Sequence, residues 1–378
     1  MAKLQTESQV LEAVDKIARE VVAARAAEVD GKSAFPAAAV AAFGEAGLLG
    51  LMASPDVGGL GFGPSVAARV IERVARECGS TAMVLTMHYA GAAVLEKYAP
   101  EAVRREAAAG RHLSTLAFSE AGSRSMFWAP TSSAAPGGSG VKLNARKSWC
   151  TSANHATAYI WSSRPMKADG ASTIWLVPRT TAGLRIGSGF DGLGLRGNDS
   201  VPITAEDAEV PAASMLGADG QGLEIMLQVV LPVFNLLSAA CSVGLMEGAT
   251  ARAAEHAAGT RYEHTGSVLA ELPTLRAYIA RMRIATDMAS CLMAATAAAM
   301  EAGRPDTMLR VLESKAAAGE AAGQVLDLAM RVCGGAAYRK EVGVERLFRD
   351  ARAASIMGPT TDQLYDFLGK AVCGLPVF

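Results

Sequence analysis

The sequence lacks an excess of either charge: its 378 residues include 36 Lys and Arg against 37 Asp and Glu, a formal net charge of -1. A protein that holds nucleic acid electrostatically needs a basic surface to neutralise phosphates, so this composition argues against a nucleic-acid partner. Long runs of like charge are missing too, which argues against disordered acidic or basic tails.

Cysteine is scarce and dispersed. The six cysteines include no CxxC pair, and none of the five histidines has metal-ligand spacing with another. This pattern is unlike a disulfide framework or a zinc site, so we expect no metal and favour a reducing, cytoplasmic compartment. The HExxH, GxSxG and P-loop motifs are also missing from the sequence, so the hydrolase and NTPase chemistries that use them are not indicated.

The N-terminal segment lacks the apolar core of a signal peptide, since residues 1–31 are charged and amphipathic. Only residues 225–246 form an apolar stretch long enough to span a membrane. The stretch contains Gln228, Pro232 and Asn235 and has no closely flanking Lys or Arg. A helix buried on all sides inside a bundle fits it better, so we expect no membrane partner.

The composition changes twice along the chain. Residues 1–113 are rich in Ala, Glu, Arg and Leu at helical spacing and predict an N-terminal helical domain. Residues 114–217 contain short β-rich runs separated by turn signals and predict a small antiparallel barrel or sandwich. Residues 218–378 return to long Ala-rich helices. The sequence thus predicts an α+β multidomain protein with a β-domain between two helical domains.

One motif is misleading. Residues 192–197, GLGLRG, match the dinucleotide-binding pattern GxGxxG. That pattern needs a strand before it and a helix that opens at it, so that the helix N-terminus meets the pyrophosphate. The following residues, NDSVPITAEDAEVP, read as a strand and a turn. We therefore interpret residues 192–197 as a tight glycine turn between strands.

Four segments together resemble the acyl-CoA dehydrogenase superfamily: GEAGLLGLMASPDVGGLGFG, LAFSEAGSRS with KSWCTSANHATAYI, GLGLRGNDSVPITAEDAEVPAASMLGADGQGLEIML, and VCGGAAYRKEVGVERLFRDARAASIMGPT. The resemblance runs from about residue 8 to 370. It implies N-terminal helices, a middle β-domain and a C-terminal four-helix bundle. It also implies bound FAD and assembly into a homotetramer or homodimer.

Two of these segments imply contacts with the flavin. The family loop TEPGxGSD corresponds to residues 119–126, where Ser119 and Ser125 keep the hydroxyls of the pattern and Met126 replaces its aspartate. The family motif W-I-T corresponds to Trp149 and Thr151 with a cysteine between them. An indole face can pack on the isoalloxazine ring, while a hydroxyl can hydrogen-bond near N5.

Other segments resemble regions that meet the rest of the cofactor. The nearest match to the family's pyrophosphate arginine is in TRYEHTG, and the small residues after Cys333 resemble a segment that meets the FAD of a neighbouring subunit. The charged residues of VERLFRDAR, 344–352, are predicted to form a structural ion-pair network. The FAD-contacting residues implied by the resemblance are Phe118, Ser119, Ser125, Trp149, Thr151, Arg261, Gly334, Gly335 and Thr360.

The catalytic base of the family is missing. Family members oxidise an acyl-CoA by removing the α-proton with a glutamate while a hydride moves to the flavin. In the family pattern YEGT this glutamate stands where the present sequence has Gly358, and the alternative position on the helix that opens the C-terminal domain holds Phe234, beside Asn235. Neither glycine nor phenylalanine accepts a proton, so the catalytic residue is unknown.

Three functions stay open. A dehydrogenase with another base would use Asp362 or Tyr365, since Asp362 follows Gly358 by four residues on an expected helix. A flavin-dependent monooxygenase, an N-hydroxylase or a lyase-like acyl-CoA enzyme needs no base there. A non-catalytic flavin-binding scaffold is the third. For an enzyme, the resemblance implies an acyl thioester on CoA or a carrier protein as substrate and electron-transferring flavoprotein or oxygen as electron acceptor.

Overall fold

The computed structural model describes residues 4–124, 126–138 and 140–377. Helices form the first part of the chain, two β-sheets the middle and long helices the last part. The predicted order of helix, sheet and helix is confirmed. The change from helix to strand falls between Ala108 and Ser114, and the change back falls between Leu216 and Gly222.

The N-terminal helices are α1 (Glu7–Ile17), α2 (Ala24–Gly31), α3 (Ala37–Glu45), α4 (Pro64–Ala75), α5 (Gly79–Tyr98) and α6 (Glu101–Ala108), with a π-helical segment (Ala18–Ala23) between α1 and α2. A capping box starts α1: the Thr6 side chain accepts a hydrogen bond from the Gln9 backbone N–H, and the Gln9 side chain accepts one from Thr6. Most of α5 is buried because it packs against both the β-domain and the C-terminal helices.

The middle part contains two four-stranded sheets, with strand orders β1-β4-β5-β8 and β2-β3-β7-β6. The strands are β1 (Ser114–Ala117), β2 (Ser133–Pro136), β3 (Val141–Cys150), β4 (Ala158–Ser163), β5 (Thr173–Pro178), β6 (Leu184–Ile186), β7 (Val201–Val210) and β8 (Met215–Leu216). The apolar core of this domain includes the fully buried Trp161 and Trp175, which are direct neighbours across β4 and β5.

One strand pair corrects the prediction of an antiparallel domain. β1 runs parallel to β4, with Leu116 beside Ile160, whereas the other pairs are antiparallel. Parallel neighbours require a long crossover between them. The chain provides one here because β2 and β3, which lie between β1 and β4 in sequence, belong to the other sheet.

The C-terminal helices are α7 (Gly222–Ile225), α8 (Leu231–Gly259), α9 (Pro273–Glu301), α10 (Thr307–Cys333), α11 (Val344–Ala351), α12 (Ala353–Ile356) and α13 (Thr361–Val372). A π-helical segment, Met226–Val230, joins α7 to α8. The resulting continuous helix, Gly222–Gly259, is apolar and long enough to cross a membrane, and it is the one such helix among the described residues. Since 89% of its most apolar window is buried inside the protein, the predicted buried core helix is confirmed.

Candidate functional site

A cavity of about 740 Å³ lies where the β-domain meets the C-terminal helices. Its walls come mainly from residues 116–121, 148–151, 190–200, 230–234 and 349–358. These segments are remote in sequence. They meet because α5 packs on β1 and on α8, while α11 packs on both helices.

The two flavin motifs predicted from sequence come together at this cavity. Phe118, Ser119, Trp149 and Thr151 all line it. A backbone hydrogen bond from Ser148 N to Ser119 O, 2.9 Å long, ties the loop after β1 to the end of β3. The loop and the strand end therefore present their side chains to one space.

Trp149 presents an unusually open apolar surface to the cavity. Its side chain is 68% exposed although it is large and hydrophobic, and its backbone has a left-handed φ of 57°. The ring of Phe190 meets it edge-on, with ring centroids 6.4 Å apart. A left-handed conformation is unfavourable for a bulky residue, and such strain is concentrated at functional sites. An exposed indole of this kind offers a stacking surface to a planar ligand.

Hydroxyl groups provide the polar part of the same wall. Thr151 is buried, and its Oγ1 lies 3.0 Å from Ser200 Oγ in a hydrogen bond. Both residues line the cavity together with Asn198, whose side-chain oxygen is buried and has no partner among the described residues. A buried acceptor without a partner is costly, so a donor from a bound molecule would stabilise this wall.

The other predicted FAD residues lie elsewhere in the described chain. Arg261 is exposed, and its Nη1 donates a hydrogen bond to Gly266 O at 3.0 Å. Gly334 and Gly335 are exposed at the end of α10. Thr360 caps α13, where its hydroxyl accepts a hydrogen bond from Gln363 N. None of these four lines the cavity of the single chain, and the prediction for Ser125 lies outside the described residues.

Glu120 is the only carboxylate among the described residues that line the cavity. It is buried and paired with the buried Lys147 at 2.6 Å, and it also accepts hydrogen bonds from Thr131 and Ser132. Burial by itself would raise the pKa of Glu120, but the Lys147 charge and the hydrogen bonds outweigh it and lower that pKa. Glu120 is therefore an ionised, fully engaged structural carboxylate and a poor proton acceptor.

The two positions at which the family carries its base both face the cavity. Phe234 and Gly358 line it, as the resemblance implied, and neither can take a proton. No histidine, lysine, cysteine or tyrosine lies among the described lining residues either. Within the described part of one chain, the cavity thus has no free general base.

The structure does not bring the two replacement bases suggested by sequence to the cavity of the single chain. Asp362 and Tyr365 are exposed on α13 and do not line the cavity. The helical spacing assumed between Gly358 and Asp362 does not hold, because α13 begins at Thr361 and Gly358 precedes it.

Lys315 fixes the segment that carries Gly358. Its buried ammonium group on α10 donates hydrogen bonds to the carbonyl oxygens of Met357 at 3.0 Å and Pro359 at 2.7 Å, with Ala354 O at 3.4 Å. Burial lowers the pKa of Lys315 to about 7. Lys315 therefore ties the segment around Gly358 to α10.

The predicted ion-pair network around 344–352 is confirmed, and it reaches further than the sequence indicated. Arg349 pairs with Asp30 of α2 at 2.6 Å and with Glu345 at 2.7 Å. Asp350 accepts a hydrogen bond from Leu195 N at 2.6 Å, and burial raises its pKa to about 7. The network therefore joins the N-terminal helices, the 190–200 loop and α11.

Sequence reasoning missed that residues 190–200 form a cavity wall. The predicted turn is present between β6 and β7, and it contains a 3₁₀ turn, Arg196–Asn198, in place of an α-helix. A Cβ added at Gly194 would lie 2.3 Å from Arg349 O, so the glycine permits close contact with α11. In the sequence, the glycines of the segment GLGLRG were the feature that could have indicated this close packing.

Comparison with known proteins gives a consistent result over nearly the whole chain. Family models described as acyl-CoA dehydrogenase N-terminal, middle and C-terminal domains match residues 5–110, 115–208 and 220–373. The human mitochondrial short-chain specific acyl-CoA dehydrogenase is 29% identical over 95% of this chain and 88% of its own length. The cyclohex-1-ene-1-carbonyl-CoA dehydrogenase of Geobacter metallireducens is 29% identical over 97% of this chain and 98% of its own.

A solved structure shows the same fold. The butyryl-CoA dehydrogenase of Megasphaera elsdenii superposes with a TM-score of 0.91, covering 99% of this chain and all of that chain at 22% identity. The helix, sheet and helix order is therefore the architecture of that enzyme as well.

Proposed function

The chain belongs to the acyl-CoA dehydrogenase family and is a flavoprotein oxidoreductase with FAD as its cofactor; we propose that it acts on an acyl thioester, carried by CoA or a carrier protein, without a glutamate base. The observation that carries this proposal is the cavity, because Trp149, Thr151 and Gly358 all line it.

The described residues fit the isoalloxazine part of FAD. The cavity volume of about 740 Å³ is in the range of cofactor sites. Trp149 offers an apolar face for a planar ring, and Thr151, Ser200 and Asn198 offer polar groups beside it. The unpartnered Asn198 oxygen supports a bound donor at this place.

Bound FAD would supply a hydride acceptor at flavin N5, and the chain supplies the environment. Trp149 and Phe190 orient a planar ligand, since their mutual packing limits the motion of the indole. Apolar residues of 230–234 and 353–357 keep water out of the rest of the cavity. The Glu120–Lys147 pair holds the loop after β1 in place.

The set of residues that line the cavity argues against rapid removal of an α-proton by this chain. A general base must lie within hydrogen-bond reach of the proton that it takes, and none of the described lining residues is a free one. This favours a second candidate: a flavin-dependent monooxygenase or N-hydroxylase, or a lyase-like acyl-CoA enzyme, on the same fold. Electron-transferring flavoprotein is the proposed acceptor for a dehydrogenase, and oxygen for an oxygenase.

Anaerobic titration of the flavin-loaded protein with a panel of acyl-CoA compounds tests the first candidate through loss of flavin absorbance. Bleaching by any of them would establish a dehydrogenase and overturn the inferred lack of a base. Binding without bleaching, followed by oxygen uptake and formation of an oxygenated product that both require the bound thioester once the flavin is reduced chemically, would establish an oxygenase. Conversion of the thioester without net flavin reduction or oxygen uptake would establish a lyase-like enzyme. A purified protein that does not bind FAD would indicate a non-catalytic scaffold.

We further propose that the protein is a homotetramer or homodimer and that it works in the cytoplasm. Exposed apolar side chains on the C-terminal helices support assembly, among them Ile284 and Met288 on α9 and Tyr338 after α10. All six cysteines are free, which is compatible with a reducing compartment.

A further inference from the structure

Arg124 carries a positive charge at the cavity that no described residue offsets. Its side chain is exposed and lines the cavity, and its guanidinium makes no hydrogen bond or ion pair with the residues that the structure describes. Arginine is the side chain best suited to bind carboxylate and phosphate groups, because its planar fork donates two parallel hydrogen bonds.

The other arginines of the cavity are already engaged. Arg349 is neutralised by Asp30 and Glu345. Arg352 donates to Gly323 O at 3.0 Å and stacks on Phe348, although no carboxylate pairs with it. Since the single lining carboxylate, Glu120, is neutralised by Lys147, the net charge of the described cavity wall is positive.

The backbone of Arg124 has a conformation that is unusual for a residue with a side chain. Its φ is 48°, in the left-handed region that is unfavourable for residues with a Cβ. The family pattern TEPGxGSD has glycine here, which accepts this conformation freely. The chain therefore carries a long cationic side chain at a backbone position that favours glycine, and that side chain reaches a cavity lined largely by apolar residues.

We propose that Arg124 binds an oxyanion, a carboxylate or phosphate group, of a molecule that occupies the cavity. Two sources share this chemistry: the diphosphate of FAD and an acidic group on the acyl part of the substrate. The second source rests on the proposed acyl-thioester function, whereas the first rests only on FAD binding. In either case the arginine selects its ligand by charge and bidentate geometry.

The test compares Arg124→Gln and Arg124→Lys with wild type, and Arg146→Gln serves as the matched control because Arg146 is exposed on β3 outside the cavity lining. One arm measures the Kd of the apoprotein for FAD and for riboflavin, which has the same ring system without the diphosphate. The other arm measures, by calorimetry on the flavin-loaded protein, the Kd for glutaryl-CoA and for pentanoyl-CoA, which has the same carbon count and no terminal carboxylate. Circular dichroism checks that each variant is folded.

Loss of a charge-assisted hydrogen bond should weaken binding of the anionic ligand about tenfold or more in Arg124→Gln, with partial retention in Arg124→Lys and no change in Arg146→Gln. A loss confined to FAD over riboflavin assigns the site to the diphosphate. A loss confined to glutaryl-CoA over pentanoyl-CoA assigns it to an acidic acyl group. Equal losses for the two thioesters assign the site to the phosphates that CoA carries in both. Equal losses for FAD and riboflavin without any loss for the thioesters, or no loss in either arm, overturn the proposal. If wild type binds neither thioester, the proposed substrate class fails while the FAD arm still decides the role of Arg124.

Discussion

A single residue, Gly358, separates this site from one with a proton acceptor. It lines the cavity, and Lys315 holds the carbonyl groups on both sides of it. A side chain at this position would therefore project from a segment that α10 holds in place. What the site lacks at this position is therefore only the carboxylate side chain of the base.

We expect Gly358→Glu to introduce flavin reduction by a short acyl-CoA. A positioned general base contributes roughly a hundredfold or more to the rate of a proton transfer. Stopped-flow absorbance under anaerobic conditions measures the rate. Gly358→Gln is the matched control, since it has the same size and cannot accept a proton at neutral pH. Similar rates in both variants would show that the base is not what limits dehydrogenation.

The Glu120–Lys147 pair gives a second prediction for single residues. Lys147→Met leaves the buried Glu120 carboxylate without its counter-charge, which should lower the free energy of unfolding by about 3–5 kcal/mol. Urea unfolding measures the difference. The double variant Glu120→Gln with Lys147→Met removes both charges and should recover much of the loss. A single variant as stable as wild type would mean that the pair is not needed to hold the loop.

At the scale of elements, the segment between α12 and α13 depends on α10. Lys315 donates to carbonyl groups of this segment and has no carboxylate partner among the described residues. Burial of its charge lowers the pKa from 10.5 to about 7. The hydrogen bonds of Lys315 thus hold the segment in place, while the burial of its charged form is unfavourable.

This arrangement predicts a pH dependence of stability. Because the folded-state pKa of Lys315 is below the unfolded value, the unfolded chain binds more protons above pH 7, so the free energy of unfolding gains a term that rises with pH between about 7 and 8.5. Unfolding in urea at both pH values should show a smaller rise in Lys315→Met than in wild type. Parallel curves for the two proteins would contradict a lowered pKa of Lys315 in the folded state.

At the scale of the whole molecule, one face of α9 remains without a partner in the single chain. Ile284 and Met288 stand four residues apart, so they lie on the same side of the helix, and they are 59% and 70% exposed. Large apolar side chains exposed together are typical of protein–protein interfaces. The proposed homotetramer or homodimer would cover them.

The double variant Ile284→Glu with Met288→Glu should therefore lower the mass of the particle in solution, because burying two carboxylates in an interface is unfavourable. Light scattering after size-exclusion chromatography measures that mass. Ala102→Glu, also a change from an exposed apolar residue on a helix, is the control. An unchanged mass in the double variant would place the interface elsewhere.

The sequence allowed the prediction of everything set by local pattern or by the family motifs: the helix, sheet and helix order, the buried helix, and the meeting of Trp149 with Ser119. It failed where the answer depended on packing between distant segments. The Asp362 hypothesis needed a helix to continue through Gly358, and the parallel β1–β4 pair depended on a change of sheet. The assignment of Thr360 to the cofactor stays a prediction, and in the single chain its hydroxyl caps α13, a role that the sequence analysis did not name.

The exposed indole of Trp149 also gives the protein an intrinsic fluorescence signal from the cavity. Of the four tryptophans, Trp161 and Trp175 are sealed in the β-domain and Trp128 is partly buried, so Trp149 is the one most open to solvent. Emission from a water-exposed indole lies at long wavelength, and the red edge of the spectrum therefore reports mainly on this side chain. Binding of a ligand that packs against Trp149 can thus be followed by intrinsic fluorescence, without a label.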